Sequence, residues 1–220
     1  MSLLREMIKY SKNPQLILPR LVKKAAVPFN YLVAKNMPGS APSSQPQKAE
    51  KPVLLFGAFG GRRYDDNSAT LFEYMAANEP GLDCYWIMRK DSFDERENER
   101  KIPYEDRVVF KDTLKACILA RKAAAYIYSH GRYDITDFKK KDTPGILSVM
   151  LDHGFTSLKK TTMPELPAGE DAGKDLWEWD LIISGSEAEA CIHNEQWRIP
   201  KEKIRVAGLA RYDRLEKIRN

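Results

Sequence analysis

Residues 53–63 read VLLFGAFGGRR, and this stretch decides the fold. Val53-Leu54-Leu55-Phe56 is an unbroken apolar run, which suits a strand buried on both faces of a sheet. A glycine-rich turn follows at once, and beyond it Leu71, Phe72 and Met75 share one helical face. Strand, turn and helix in that order open a β-α-β unit, whose right-handed crossover yields a parallel sheet.

The same alternation continues along the chain. Short apolar runs at Cys84–Met88, Val108–Phe110, Ala124–Tyr128, Ile146–Leu151, Leu181–Ile183 and Ile204–Val206 read as further strands. Between them, Asp112 is expected to cap a helix that brings Leu114, Cys117 and Ile118 together. A helix is expected from about Glu187 and another near Arg211, and the charged residues 91–106 read as an exposed excursion. The fold class is therefore α/β: a Rossmann-like, mainly parallel sheet flanked by helices, without internal repeats.

Composition limits the function classes. The chain has 220 residues, 43% apolar and 30% charged, enough to bury a core. No apolar stretch approaches the roughly 18 residues needed to cross a bilayer. The net charge of +5 is unevenly placed. Residues 1–48 carry eight Lys/Arg and one acid, Glu6, whereas the rest carries 28 basic and 30 acidic residues. The basic character belongs to an N-terminal arm suited to an anionic surface, and nucleic acid is not an expected partner.

Residues 1–37 form this arm, a basic amphipathic segment. Leu3, Leu4, Met7 and Ile8 fall on one stripe, and further apolar-basic stretches run to Val33. It reads either as a helix packed on the domain or a partner-binding arm, or as an interfacial anchor on anionic lipid. Residues 38–51 are a Pro/Ser-rich linker, and 52–220 form the Rossmann-like lobe. Cys84, Cys117 and Cys191 lack the close spacing of metal clusters and read as buried free thiols in a reducing cytoplasm.

In an open parallel sheet, ligands bind beyond the carboxyl ends of the strands. Here those ends carry the unusual residues: Gly57 to Arg63, Ser129-His130-Gly131-Arg132, Asp152-His153-Gly154, Ser184-Gly185-Ser186 and Gly208 to Arg211. The spacing is neither a Walker loop nor a dinucleotide fingerprint. Glycine turns, arginine forks and lysine point charges suit phosphate, and a histidine can take a proton from an attacking hydroxyl. His153, at a strand end before Gly154 and close to Lys159 and Lys160, is the candidate base. His193, inside a helix, reads as structural. No Asp/Glu/His spacing suggests a metal, and no cofactor is expected.

These blocks, in order, resemble the CDP-glycerol glycerophosphotransferases of teichoic acid priming and polymerisation. Phe59-Gly60-Gly61-Arg62 with Tyr64, Asp66 and Asn67 resembles F-G-G-K-x-Y-x-D-N. Leu71–Met75 resembles the helix that follows, Tyr85-Trp86 the second strand, and Asp180–Ser184 the W-D-Y-L-I-S strand. His153-Gly154 with Leu158-Lys159 resembles H-G-T-P-L-K, and Gly208, Arg211, Asp213 and Leu215 resemble G-x-P-R-x-D-x-L. The departures are Gly57 and Ala58 for Glu and Ser, Asp152 for Trp, Phe155-Thr156-Ser157 for T-P, and Ala210 for Pro. Asp152 either pairs with the imidazole of His153 or faces away.

The resemblance implies the N-terminal lobe of a GT-B-like fold. It also implies transfer of glycerol phosphate from CDP-glycerol, or a related nucleotide-activated polyol, to a lipid-linked acceptor, with release of CMP. His153 is then the catalytic base. Gly60, Gly61, Arg62, Tyr64, Asp66, Asn67, His130, Lys159, Ser184 and Arg211 are the expected substrate-binding residues. The late G-x-x-R-x-D-x-L block precedes a second, CDP-binding half in full family members. This chain is thus expected to supply the acceptor side, with a partner chain holding the donor, at the cytoplasmic face of the membrane. The alternative is a non-catalytic membrane-associated module that binds polyol-phosphate polymer or a protein.

Overall fold

In a computed structural model, described for residues 17–36, 51–95, 101–154 and 178–214, the run Val53–Gly57 is strand β1 at the middle of a seven-stranded sheet. The others are β2 (Asp83–Met88), β3 (Val108–Phe110), β4 (Ala125–Tyr128), β5 (Leu147–Met150), β6 (Leu181–Ser184) and β7 (Ile204–Val206). Every pairing is parallel, and the order is β3-β2-β1-β4-β5-β6-β7. The chain winds outward from β1 to β3, returns, and then winds the other way from β4. Neighbouring β1 and β4 therefore mark the switch point, where the turns leaving the sheet diverge and leave a crevice.

Helices α1 (Ile17–Asn36), α2 (Asp66–Asn78), α3 (Lys90–Asp94), α4 (Leu114–Lys122) and α5 (Glu187–Glu195) accompany the strands. Strand side chains alternate between two cores, as a period of two demands. Leu55, Ile87, Tyr126 and Tyr128 pack on the side of α4 and α1. Leu54, Phe56, Trp86 and Met88 pack on the side of α2. There, Phe72 of α2 meets Phe56 edge-on at 5.5 Å, and Tyr64 meets Trp86 at 4.7 Å. Such pairs add about 0.5–1.5 kcal/mol each beyond their buried area.

Helix α1 includes Pro28 and lies along α4. Ala34 is buried, Arg121 donates to the carbonyls of Ala34 and Lys35, and the Tyr31 hydroxyl donates to Asp112 at 3.2 Å. The opposite side of the helix carries exposed Phe29 and Leu32. Residues 1–16 and 37–50 lie outside the described residues, so the stripe of Leu3 to Ile8 does as well. No helix among the described residues is long and apolar enough to cross a membrane.

Three local expectations are corrected. Thr113, not Asp112, caps α4: its hydroxyl accepts from Ala116 N at 3.2 Å. Asp112 instead adopts a left-handed backbone (φ 66°) and holds α1. The charged stretch 91–106 is not wholly exposed, because Ile102 is buried and Tyr104 packs edge-on against Phe72 at 6.1 Å. Cys84 and Cys117 are buried, but Cys191 is exposed. On α5 the buried positions are Glu189 and His193, and Cys191, midway between them, lies about 200° around the helix from each.

Candidate active site at the switch point

The β1 turn is held in an unusual shape. Phe59, Gly60 and Gly61 take φ of 51°, 65° and 77°, three successive left-handed residues. Glycine accepts this readily, whereas Phe59 does not, and such strain in a native protein tends to sit at functional sites. At Gly61 a Cβ would also lie 3.3 Å from Arg89 Cγ. The opposing β4 turn is joined to it by Asp134. Its buried carboxylate accepts Gly60 N at 2.7 Å through Oδ1, and His130 N at 2.9 Å through Oδ2. No motif singled out Asp134. Its only sequence signal is a carboxylate four residues past His130, the spacing that lets it cap the turn.

The two histidines of the edge are stacked. The rings of His130 and His153 lie 4.3 Å apart and within 15° of parallel, and the Phe59 ring packs on His130 at 4.1 Å, tilted by 49°. His130 Nδ1 accepts from Phe59 N at 3.4 Å, so in the neutral ring Nε2 carries the proton. His153 Nδ1 faces the Ser129 carbonyl at 3.2 Å, which fixes the proton on Nδ1 and leaves the lone pair on Nε2. These tautomers are assigned from the partners. One ring thus offers a donor and its neighbour an acceptor.

Around His153 the backbone is strongly tied. Asn67 donates from Nδ2 to the Asp152 carbonyl at 3.0 Å and accepts Arg211 N at 3.0 Å. Arg211 donates to the His153 carbonyl at 3.0 Å and reaches Asp66 at 3.4 Å. Asp66, with φ 71°, sits at the start of α2. Burial pushes its carboxyl above the usual carboxylate range, against the pull of Asn67 N, Arg211, His130 and His153.

Asp152 faces the imidazole. Its Oδ1 accepts His153 N at 2.6 Å and lies 3.5 Å from His153 Nδ1. Its Oδ2 lies 3.3 Å from Nε2 of His193, whose Nδ1 is 2.7 Å from Ser184 Oγ. Burial alone would raise the Asp152 carboxyl, but the His193 contact and the His153 amide outweigh it and hold it below the usual range. Glu189 completes this cluster, and one donor atom each of Asp152, Glu189 and His193 lies within 4.8 Å of the others. Two elements assemble it: Glu189 and His193 lie one turn apart on α5, and Asp152 comes from beyond β5. Glu189 already accepts Gly185 N at 2.6 Å and both His193 nitrogens have protein neighbours, so the cluster reads as a hydrogen-bonded network.

The expected site residues divide by placement. Gly60 and Arg62 line a cavity of about 580 Å³ with Arg63, Arg89 and Lys111, and with the acids Asp112 and Asp137, the latter paired with Lys111 at 3.1 Å. Gly61 stands directly behind it. His130, His153, Asp66 and Arg211 meet across the switch point. Asn67 and Ser184 are buried and hold other residues in place. Tyr64 lies in the aromatic core with its hydroxyl on Glu73 at 2.9 Å. Arg132 also turns away from the edge: it is buried, donates to the Phe138 carbonyl and Ser148 Oγ, and stacks over Tyr126 at 4.6 Å. Lys159 lies outside the described residues.

The lobe is doubly wound and all-parallel, with stacked histidines at its switch point and a cavity rich in Arg and Lys beside them. The chain belongs to the CDP-Glycerol:Poly(glycerophosphate) glycerophosphotransferase family, whose model matches residues 41–220. It is 22% identical over 175 residues to the teichoic acid glycerol-phosphate transferase of Staphylococcus aureus, covering 77% of this chain and 43% of that one. It is 26% identical over 110 residues to the teichoic acid poly(glycerol phosphate) polymerase of Bacillus subtilis, covering 50% and 15%. The structure of the wall teichoic acid polymerase TagF matches it with a TM-score of 0.60 at 18% identity, over 99% of this chain and 49% of TagF. A TagF variant soaked with CDPG matches with a TM-score of 0.58, also at 18% identity, over 99% of this chain and 51% of that one. At such identity the likeness speaks for the fold, and the α/β lobe corresponds to half of TagF. The chain spans less than half the length of the curated relatives it matches.

Proposed function

We propose that this chain is the acceptor-side lobe of a glycerophosphotransferase that extends or primes a teichoic acid polymer. His153 Nε2 takes the proton of an acceptor hydroxyl. The acceptor oxygen forms a bond to the phosphorus that carries glycerol in CDP-glycerol, the phosphoanhydride bond breaks, and CMP leaves. Arg62 and its cationic neighbours receive acceptor phosphates, and His130 Nε2–H faces the reacting group as a donor. The observation that carries this reading is the orientation of His153, with Nδ1 committed to the Ser129 carbonyl and Nε2 left as the base.

The test is CMP release from CDP-glycerol in the presence of a lipid-linked acceptor. The chain is assayed alone and together with a family second lobe. Release that His153→Ala reduces by about 100-fold or more supports the proposal. No release under either condition sinks it. The second reading, a non-catalytic module at an anionic membrane, draws on exposed Phe29 and Leu32 of α1, and it predicts acceptor binding that His153→Ala leaves within a few-fold.

A further inference from the structure

We infer that Asp152 and His193 are a buried positioning pair that holds the His153 imidazole in its base-competent tautomer, with Ser184 anchoring the far end. The inference rests on His153 acting as the base. Asp152 is nearly inaccessible and adopts a left-handed backbone, φ 58°, with its carboxylate brought to the amide and Nδ1 of His153. Its two oxygens have separate tasks. Oδ1 takes the His153 amide at 2.6 Å and stands 3.5 Å from Nδ1. Oδ2 has no hydrogen bond of good geometry among the described residues, and its neighbour is His193 Nε2 at 3.3 Å. A buried carboxylate oxygen left in that state is costly unless a donor turns to it.

His193 is the donor the arrangement requires. With Ser184 Oγ giving its proton to Nδ1, Nε2–H points to the Asp152 side. His193 is itself fully buried, its ring packed 4.9 Å from Trp197, so it has no route to substrate and acts only through Asp152. The order Ser184–His193–Asp152–His153 thus runs from the end of β6 through α5 to the end of β5. When His153 accepts a proton at Nε2, the Asp152 charge beside Nδ1 stabilises the imidazolium while the proton on Nδ1 stays in place. The logic is that of an orienting carboxylate in a catalytic triad. His193 Nε2, 3.3 Å from Oδ2, orients the Asp152 carboxylate from behind.

Other groups also face His153: His130 from the β4 turn, Asp66 from the start of α2, and Arg211 after β7, with Glu189 behind His193. Neither His130 nor Arg211 supplies a negative charge, and Asp66 is paired with Arg211. The Ser129 carbonyl faces Nδ1 at 3.2 Å as a neutral acceptor, so Asp152, at 3.5 Å, is the negative charge beside that nitrogen, and its removal should weaken the preference for Nδ1–H.

The variants are Asp152→Asn, His193→Phe, His193→Gln and Ser184→Ala, each checked for folding by circular dichroism. The readout independent of activity is the ¹⁵N imidazole spectrum of His153 in the intact chain. The wild type should show a predominantly Nδ1–H ring, and Asp152→Asn and His193→Phe a mixed one. His193→Gln, which restores a donor to Oδ2, should recover the wild-type pattern. In the CMP-release assay, Asp152→Asn should lose about 10- to 100-fold and move the acidic limb of the pH–rate profile to lower pH. An unchanged tautomer in folded Asp152→Asn and His193→Phe overturns the inference, and Ser184→Ala supplies the same comparison if His193→Phe does not fold. Changed tautomers in a chain that releases no CMP overturn the proposed function while the positioning pair stands. Normal CMP release with unchanged pH profiles does the reverse.

Discussion

The carboxylate of Asp134 receives the backbone amide of Gly60 at 2.7 Å, and through this contact the β1 turn and the β4 turn become one structure. The same carboxylate also takes His130 N, so a single buried side chain sets both the glycine turn after β1 and one of the stacked histidines. Hydrogen bonds to a buried charge are worth more than neutral ones, and orphaning their donors costs more again. Asp134→Ala should therefore lower stability by about 2–4 kcal/mol in urea unfolding. Asp134→Asn should fall between, because its amide nitrogen would face an N–H it cannot accept. A loss below about 0.5 kcal/mol for Asp134→Ala would show that the turns hold without it.

Asp66 and Asp152 should make opposite contributions to the pH dependence of stability. Burial raises the Asp66 carboxyl, so its contribution is fully present below the unfolded value of about 3.9 and is lost as pH rises through the folded value. Asp66→Asn, which tolerates the left-handed backbone, should melt higher than wild type at pH 7, with the difference closing below about pH 4. Asp152 is depressed by His193 and the His153 amide acting against burial, so its contribution is present above the unfolded value and lost as pH falls. Asp152→Asn should melt lower than wild type at pH 7. Thermal melts across pH 3–8 check both signs, and a stabilising Asp152→Asn would contradict the second.

Cysteine reactivity should separate the three thiols. Burial pushes the Cys117 thiol up to about 12 and raises Cys84 as well, whereas Cys191 is exposed on α5. The thiolate is the reactive form, so one thiol per native chain should react rapidly with a maleimide, and three after unfolding in denaturant. Cys191→Ser should abolish the fast phase. Fast labelling that survives this change would mean that Cys84 or Cys117 is reached in the native state.

Much of this was legible in the sequence, for a physical reason. Strands buried on both faces, such as Val53–Phe56 and Ala125–Tyr128, announce themselves as apolar runs, and the glycines between them mark where the chain leaves the sheet. The place of His153 at the sheet edge was legible because it lies two residues beyond the Ile146–Leu151 run. What was not legible depends on three-dimensional convergence. His193 is 40 residues from His153 and lies on a helix, where periodicity alone assigns it to packing. Arg132 follows a strand like the other edge residues, but its side chain turns beneath the sheet to Ser148 and Phe138, a direction that sequence position does not encode. Tyr64 directly follows the glycine-arginine turn after β1 and still belongs to the aromatic core.

Helix α1 presents the last prediction. Its inner residues are committed to the domain through Tyr31, Ala34 and the Arg121 contacts, so the helix does not need its outer face for folding. That face carries Phe29 at 62% exposure and Leu32 at 59%, large apolar side chains left in water three residues apart. Burying one such side chain is worth about 1.5–3 kcal/mol, and partial insertion at a membrane interface recovers a fraction of that. The Lys and Arg that the sequence concentrates in residues 1–48 should add attraction only where the lipid is anionic. The protein should therefore co-sediment with vesicles containing phosphatidylglycerol and much less with pure phosphatidylcholine. Phe29→Ser combined with Leu32→Ser should weaken that binding by roughly tenfold or more with the melting temperature preserved. Binding that survives the double change but disappears at 0.5 M salt would assign the attachment to charge alone, and binding equal on both lipids would remove the anionic surface as the partner.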